Sequence, residues 1–449
     1  MKGRASLAAA LVALAMAPAA ASAADPPPGA AMSDNLDYVA RVAGARGITE
    51  GKFDRVRGSD VMVITGRFGF KTYDVSDPAD PQPLDTYLPP ELAANGYWQN
   101  EDMELDTRRK LIIGALDPRH TELDTSACAA GGGVQLAGCK SGFYVISYAD
   151  PANLRQVGGF VELPAGHTAS CIESCDFVWT GGPARRDDLA FLGPFTPGGR
   201  GDGRPIWVTD LRDPEHPVVK QDPIDLGRND GLTDYSHDVQ VDAQGIAWIS
   251  GRGGILGYAT HGRERDPKTG QVRAASPTDP VLVAGGGVGG TNQPIMFMHN
   301  SARPLDGSVR AKGVRRGNVL VGTEEDFTDP CTASGRIVLS DITDSIGGGP
   351  ATGSTPEHPY RMTPLDTFHP AQDTRETIGP SSQCSAHYFE VSGPTLAAAW
   401  YGQGLRLVDI SDARDVRQIG FFRVTSDGSA DNPSSLSWDV AVHAGRPSS

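Results

Sequence analysis

Apolar and polar positions alternate with a period of two in short runs along this chain, and the runs end repeatedly in one acidic turn. The pattern reads FKTYDVSDPADPQPLDTY from Phe70, FYVISYADPANLRQVGGF from Phe143 and IWVTDLRDPEHPVV from Ile206. It returns as IVLSDITDS from Ile337 and LRLVDISDARDVRQIGFF from Leu405. A period of two turns alternate side chains to one face of a strand. The D-x-x-D-P turn then reverses the chain, because Asp caps its own backbone and Pro fixes φ where no ladder donor is needed. Equivalent positions Asp74, Ser147, Asp210, Asp341 and Asp409 are 73, 63, 131 and 68 residues apart. The longest interval holds a degenerate copy, GGILGYATHG, so the period is about 65 residues. A further pair of strands precedes each turn, as in HDVQVDAQGIAWISGRGGILGYA from His237.

The repeating unit is therefore about four short antiparallel strands, which predicts an all-β chain folded as a β-propeller. Six complete units end near residues 88, 163, 226, 285, 370 and 424. A seventh starts at SWDVAVH (Ser437 to His443). Seven four-stranded blades are expected, six being the alternative, with Asp37 to Ile48 supplying a closing strand.

Composition agrees with this reading. Gly (55) and Pro (34) make up about a fifth of 449 residues, too much backbone punctuation for a helical bundle. The hydrophobic share of 39% suffices for one large core. A net charge of −15 repels phosphate backbones and excludes nucleic acid as a partner class. Lys2 and Arg4, the apolar run Leu7 to Met16 and Ala21-Ser22-Ala23 read as a secretory signal. Residues 1–23 are expected to be a signal peptide, 24–36 a flexible linker and 37–449 one propeller domain. Loss of the signal takes the charge to −17. The protein is expected outside the cytoplasm, extracellular or periplasmic, as a monomer without a transmembrane segment.

Export places six cysteines in an oxidising compartment. Spacing pairs Cys128 with Cys139 and Cys171 with Cys175, and elimination leaves Cys331 with Cys384. A rival reading of HTASCIESC makes His167, Cys171 and Cys175 a zinc or copper site, although the spacing is not a standard zinc pattern.

Of ten histidines, four share a register. His237 (HDVQVD), His299 (HNSARP), His387 (AHYFEV) and His167 (GHTASC) each stand at the start of a blade's first strand. Glu101 fills that slot in NEDMELD, and Trp438 fills it in SWDVAV. First strands line the channel of a propeller, so these side chains converge at one mouth. Neutral imidazoles with a carboxylate suit a borderline divalent ion: copper, zinc or manganese. Such an ion polarises a carbonyl or activates water or dioxygen. Asp102, Asp238 and Asn300, one position on, are expected to fix the imidazole tautomers. Two other readings stay open: histidines that hydrogen-bond the blade's own turns, and a metal-free ligand pocket. His120, His216, His358 and His369 lie in Pro-rich turns and are expected to face solvent. Glu324-Glu325-Asp326 reads as a solvated loop, and Trp98, Trp207, Trp248 and Trp400 as core.

The strings LRLVDISD, FKTYDVSDP and IWVTDLRDP resemble the LVIVD-repeat family of secreted or surface propellers, from about Tyr38 to Phe422. That resemblance implies the architecture and leaves the chemistry open, since the family has no uniform activity. A weaker similarity, the repeated histidines alone, is to the selenium-binding-protein and methanethiol-oxidase propellers, for which it implies copper. Two functions follow. One is a binding module for a small molecule or an extracellular protein. The other is a metal-dependent enzyme, a copper oxidoreductase among the options, using His167, His237, His299, His387 and Glu101.

Overall fold

The computed structural model describes residues 24–42, 47–66, 68–90, 101–116, 140–182, 205–220, 223–225, 236–251, 254–266, 269–286, 297–326, 335–346, 362–372, 384–424, 437 and 439–443. After β1 (Ala30–Met32), the strands fall into six antiparallel sheets in sequence order. Blade 1 holds β2 (Ile48–Val56), β3 (Ser59–Gly66), β4 (Gly69–Asp74) and β5 (Gln82–Tyr87). Blade 2 holds β6 (Met103–Asp106), β7 (Leu111–Leu116) and β8 (Gly142–Ser147), with its outer strand split into β9 (Arg155–Gln156) and β10 (Val161–Glu162). Blade 3 holds β11 (Thr168–Ile172), β12 (Phe177–Gly181) and β13 (Pro205–Asp210), again with a split outer strand, β14 (Val218–Val219) and β15 (Ile224–Asp225).

Blade 4 holds β16 (Ser236–Val241), β17 (Ile246–Gly251) and β18 (Gly254–Ala259); a hairpin of β19 (Arg263–Arg265) and β20 (Val272–Ala274) precedes its outer β21 (Val281–Gly286). Blade 5 holds β22 (Met298–Ala302), β23 (Val319–Glu324), β24 (Ile337–Asp341) and β25 (Thr363–Phe368). Blade 6 holds β26 (Ala386–Ser392), β27 (Thr395–Trp400), β28 (Gly404–Asp409) and β29 (Arg417–Val424). The unit ends read from the sequence coincide with these outer strands.

The acidic turns fold as their residue types dictate. Asp74, Asp210, Asp341 and Asp409 each accept a hydrogen bond from the backbone N–H two residues on, at 2.8–3.3 Å, and Ser147 does the same through its hydroxyl. The second acid repeats the device: Asp77, Asp150, Asp213 and Asp412 cap Ala79, Ala152, Glu215 and Arg414. Each turn thus closes on its own side chains.

Successive first strands touch one another, β2 with β6, β6 with β11, β11 with β16, β16 with β22 and β22 with β26, and so form the wall of a central channel. Apolar clusters fill five of the seams between blades, such as Val63, Phe70, Ile112 and Tyr144 between blades 1 and 2. Trp179, Ile206, Ile249 and Leu256 do so between blades 3 and 4, and Val321, Leu339, Phe389 and Trp400 between blades 5 and 6. Among the described residues no such cluster joins blade 6 to blade 1.

The described strands form six blades, the alternative count, and no seventh blade stands among the described residues. The start of the seventh unit adds no blade and enters the sixth seam instead. There the Gly51 N–H donates to Asp439 Oδ2 (2.9 Å), the Val442 N–H donates to Glu390 Oε2 (2.7 Å), and His443 stacks on Phe53. The proposed closing strand also differs. β1 pairs with β29 at the outer edge of blade 6, Ala31 opposite Arg423, so the strand added to blade 6 comes from 24–36, read as a linker, and not from the described part of Asp37 to Ile48. Among the described residues, no helix is long and apolar enough to cross a membrane. Residues 1–23 and Trp438 lie outside the described residues.

Candidate metal centre

The four histidines and Glu101 meet at one mouth of the channel, and a repeated irregularity of the first strand brings them there. Pairing between first and second strands slips by one residue between Ser236 and Asp238, between Met298 and Ser301, and between Ala386 and Phe389. His237, His299 and His387 sit inside these bulges. A bulge inserts one residue and re-aims its side chain, which is how a strand directs an imidazole along the channel wall instead of into a seam. Blade 1 carries the same slip between Ile48 and Glu50, with Thr49 in the histidine position. His167 precedes β11 and is held by its N–H to the Gly181 carbonyl (3.1 Å), and Glu101 precedes β6 in the same way.

Glu101 is the hub. Its carboxylate lies 3.6 Å from His167 Nε2, 3.7 Å from His237 Nε2, 3.4 Å from His299 Nε2 and 3.3 Å from His387 Nε2. The rings follow one another around the arc, with centroids 4.4, 4.1 and 3.7 Å apart from His167 to His387. All four histidines are at most 3% exposed and Glu101 is 2% exposed, so these polar groups satisfy one another or a guest, not bulk water.

His237 Nδ1 donates to the His299 carbonyl (3.0 Å), which leaves the His237 Nε2 lone pair facing inward. Burial, with His299 and His167 nearby, holds the His237 imidazole well below its ordinary range. Burial and His387 bring His299 down to about 3 against the pull of Glu101. Burial acts to raise Glu101, but His167, His299 and His387 outweigh it and keep the carboxyl well below the usual range. The lowered His237 and His299 imidazoles beside an anionic Glu101 are donors suited to a cation. Ligands about 2.0–2.1 Å from one ion stand about 2.9–3.4 Å apart; the Glu101 carboxylate lies 3.3–3.7 Å from the four Nε2 atoms, close to that spacing.

Three expectations need correction. Asp102, Asp238 and Asn300 do not orient the imidazoles; they accept from the Ala169 N–H, Gln240 Nε2 and Thr323 Oγ1, and a backbone carbonyl sets the His237 tautomer. Glu324-Glu325-Asp326 is not a solvated loop. Glu324 is buried against Arg336 (2.7 Å), and Glu325 accepts from the Tyr401 hydroxyl (3.0 Å) and reaches His387 (3.8 Å). Glu325 thereby joins His237 and His299 as a further possible ligand. The signal for it was positional: an antiparallel second strand ends where the first begins, so the residue after β23 or β27 arrives at the histidine mouth. His369 is buried, packs edge-on against Trp400 and accepts from the Ala371 N–H, whereas His216 is exposed as expected.

Cys171 and Cys175 form a disulfide across the β11–β12 turn, which removes both thiols from the rival metal site in HTASCIESC. Cys384 is also disulfide-bonded. Cys128, Cys139 and Cys331, like His120, His358 and Trp98, lie outside the described residues. Trp248 and Trp400 are core, and Trp207 nearly so.

Farther along the channel the walls become acidic. Lys52 pairs with Glu50 (2.9 Å). Burial pushes Asp102 up to about 7, and Glu50 and Asp238 well above the carboxylate range. It raises Glu390 and Asp439 as well. Burial opposes the charge of Lys52, but Glu50, Glu104 and Asp102 outweigh it and hold the ammonium protonated.

No family model and no curated protein matches the chain. Similar solved structures include the periplasmic gluconolactonase PpgL of Pseudomonas aeruginosa, 10% identical over 89% of this chain and 88% of that one, with a TM-score of 0.47. A protein from Lactobacillus plantarum is 10% identical over 80% and 79%, with a TM-score of 0.45. The β-propeller domain of Cps50 (Swd1) from Myceliophteria thermophila is 12% identical over 83% and 85%, with a TM-score of 0.42. Likenesses this distant say nothing about chemistry.

Proposed function

We propose that this propeller is a metal-dependent enzyme, with oxidoreductase the first class to test. Glu101 with His167 and His237, or Glu101 with His299 and His387, holds a borderline divalent ion, copper, zinc or manganese, the ligand atoms of each trio lying within 4.8 Å of one another. The observation that carries this is the convergence of four Nε2 atoms on one buried carboxylate, with the His237 lone pair turned inward. Imidazole donors suit copper and zinc above the hard cations. A bound ion supplies Lewis acidity or activates water or dioxygen. The protein's part is to keep His237 and His299 neutral, exclude water and place Glu325 and Tyr401 beside His387. A purely structural role for the histidines is the poorer fit, because their Nε2 atoms point at one another and at Glu101, not at the turns of their blades.

The same reading places the protein outside the cytoplasm as a monomer built of LVIVD-type repeats, its leader being residues 1–23. The Cys171–Cys175 disulfide supports an oxidising compartment. The test is elemental analysis of the purified protein and of a His237→Ala, His299→Ala double variant. About one equivalent of a transition metal is expected in the parent and less than about a tenth in the variant. Less than about a tenth of an equivalent in the parent after reconstitution overturns the proposal. So does a variant that melts at lower temperature with its metal content unchanged.

A further inference from the structure

The donors at the histidine mouth fall into two halves. Ligand atoms of Glu101, His167 and His237 lie within 4.8 Å of one another, and so do those of Glu101, His299 and His387. Among the described residues, no set of four does so. Donors on opposite sides of one ion stand about 4.2 Å apart, twice a bond of about 2.0–2.1 Å. One ion therefore fits one half as it stands and leaves the imidazoles of the other half unused.

Two carboxylates join the halves. Glu101 turns Oε2 to His167 (3.6 Å) and Oε1 to His299 (3.4 Å) and His387 (3.3 Å), with His237 3.7 Å from Oε1. A carboxylate that offers one oxygen to each side is placed to bridge two ions. Glu325, just past β23, repeats the arrangement. A ligand atom of Glu325 lies within 4.8 Å of His237 in one half and of His299 in the other, and its Oε1 is 3.8 Å from His387 Nε2. The Tyr401 hydroxyl donates to that oxygen (3.0 Å) and holds it there.

We propose that the mouth holds two divalent ions, one on His167 and His237 and one on His299 and His387, bridged by Glu101 and, less closely, by Glu325. The pair rests on the metal-centre reading and adds a second ion to it. Bridged ions stand about 3.5–4 Å apart and clamp two oxygens of one substrate group. The two halves are not equal. His237 is held from behind by its Nδ1–H on the His299 carbonyl (3.0 Å), and its Nε2 stands 2.8 Å from that of His167. His299 Nδ1 is buried and, among the described residues, makes no hydrogen bond that would fix its ring. A ligand ring held from behind binds more tightly, so His167 and His237 fill first. The second ion enters against the charge of the first and binds at least about tenfold more weakly. The purified protein thus carries about one equivalent, and the second half fills on titration.

The test is titration of the chelator-stripped full chain with copper(II), followed by electron paramagnetic resonance, with zinc in a parallel calorimetric titration. Two steps are expected, about two equivalents in all. The first equivalent gives the spectrum of an isolated copper ion, and the second replaces it with a spin-coupled spectrum that includes a half-field line. Copper on an exposed histidine such as His216 stays uncoupled and does not count toward the pair. His387→Ala is expected to keep the first step and to lose the second together with the coupling. Where His387→Ala fails to fold, Glu325→Gln decides, by weakening the second step about 10–100-fold. Saturation at one equivalent with an isolated-ion spectrum, two equivalents without coupling, or a second step untouched in the variant that folds overturns the pair and leaves the single-ion reading standing. No bound equivalent at all overturns that reading as well.

Discussion

The Nε2 atoms of His167 and His237 stand 2.8 Å apart across the seam between blades 3 and 4. Because His237 donates through Nδ1, its Nε2 carries a lone pair, and His167 must answer with a proton or share a cation with it. A shared cation makes metal binding a stabilising ligand of the folded state. Free zinc or copper at a thousandfold excess over Kd adds about 4 kcal/mol, read as a rise in Tm. His167→Ala abolishes most of that rise and lowers affinity beyond the roughly 10–100-fold typical of residues that only support a ligand.

Acidification acts on the metal-free protein through the same histidines. His237 and His299 are held below their ordinary range, His299 at about 3. A depressed imidazole pKa means the unfolded chain takes up protons that the folded chain refuses. Their share of stability is therefore fully present above the ordinary histidine range near 6.5 and is lost as pH falls from there toward about 3. Carboxylates elsewhere add a fall of the same sign, so the measurement is comparative. His299→Gln should flatten the slope of unfolding free energy against pH by up to about one proton between pH 6.5 and 4. An unchanged slope would contradict the burial of a neutral His299.

The architecture was legible because each blade repeats the same local chemistry, and Asp74, Asp210, Asp341 and Asp409 cap their turns whatever surrounds them. The histidine register was legible for the same reason, since four copies of one slot must converge on the channel axis. Blade number was not. Closure depends on which segments fill one seam, and SWDVAVH has the sequence of a first strand whether or not three more strands follow it. Nor was Glu325, because it comes from a second strand and no repeat of residue type marks its position.

Among the described residues, Glu325 is the one carboxylate that reaches the cluster from a second strand, through His387 (3.8 Å), while Tyr401 donates to it. Glu325→Gln keeps the shape and removes the charge. It is expected to leave the unfolding free energy within about 1 kcal/mol of the parent while weakening metal affinity by about 10–100-fold. Tyr401→Phe, which only frees the carboxylate to move, has the smaller effect. Equal metal affinity in parent and Glu325→Gln would place Glu325 outside the centre.

Two fourth-strand aspartates pin each blade to the next. Asp85 Oδ2 accepts from the Leu154 N–H (2.6 Å), and Asp366 Oδ2 from the Val416 N–H (2.9 Å), each in the acidic turn of the following blade. Asp85→Ala and Asp366→Ala are each expected to cost about 1–2 kcal/mol in denaturant unfolding, the range for a hydrogen bond with a charged acceptor in partial burial. They sit two seams apart on the ring and share no partner, so the double variant should equal the two singles within about 0.5 kcal/mol. Strong coupling would mean that the ring opens as a unit.

Among the described residues, the sixth seam has no apolar cluster like those of the other five and is bridged by two hydrogen bonds and one ring stack from the C-terminal segment. Val442 contributes a backbone N–H to Glu390, a contact that proline cannot make. Val442→Pro should therefore destabilise by about 1–3 kcal/mol, and Val442→Ala, which keeps the donor, by much less. Deletion of residues 437–449 removes the whole clasp and leaves Gly51, Glu390 and Phe53 facing an open seam. Its Tm should fall further than that of Val442→Pro, and a synthetic peptide of residues 437–449 added in excess should restore part of the loss. A truncated chain that melts with the parent, and gains nothing from the peptide, would show that blades 6 and 1 hold together without this segment.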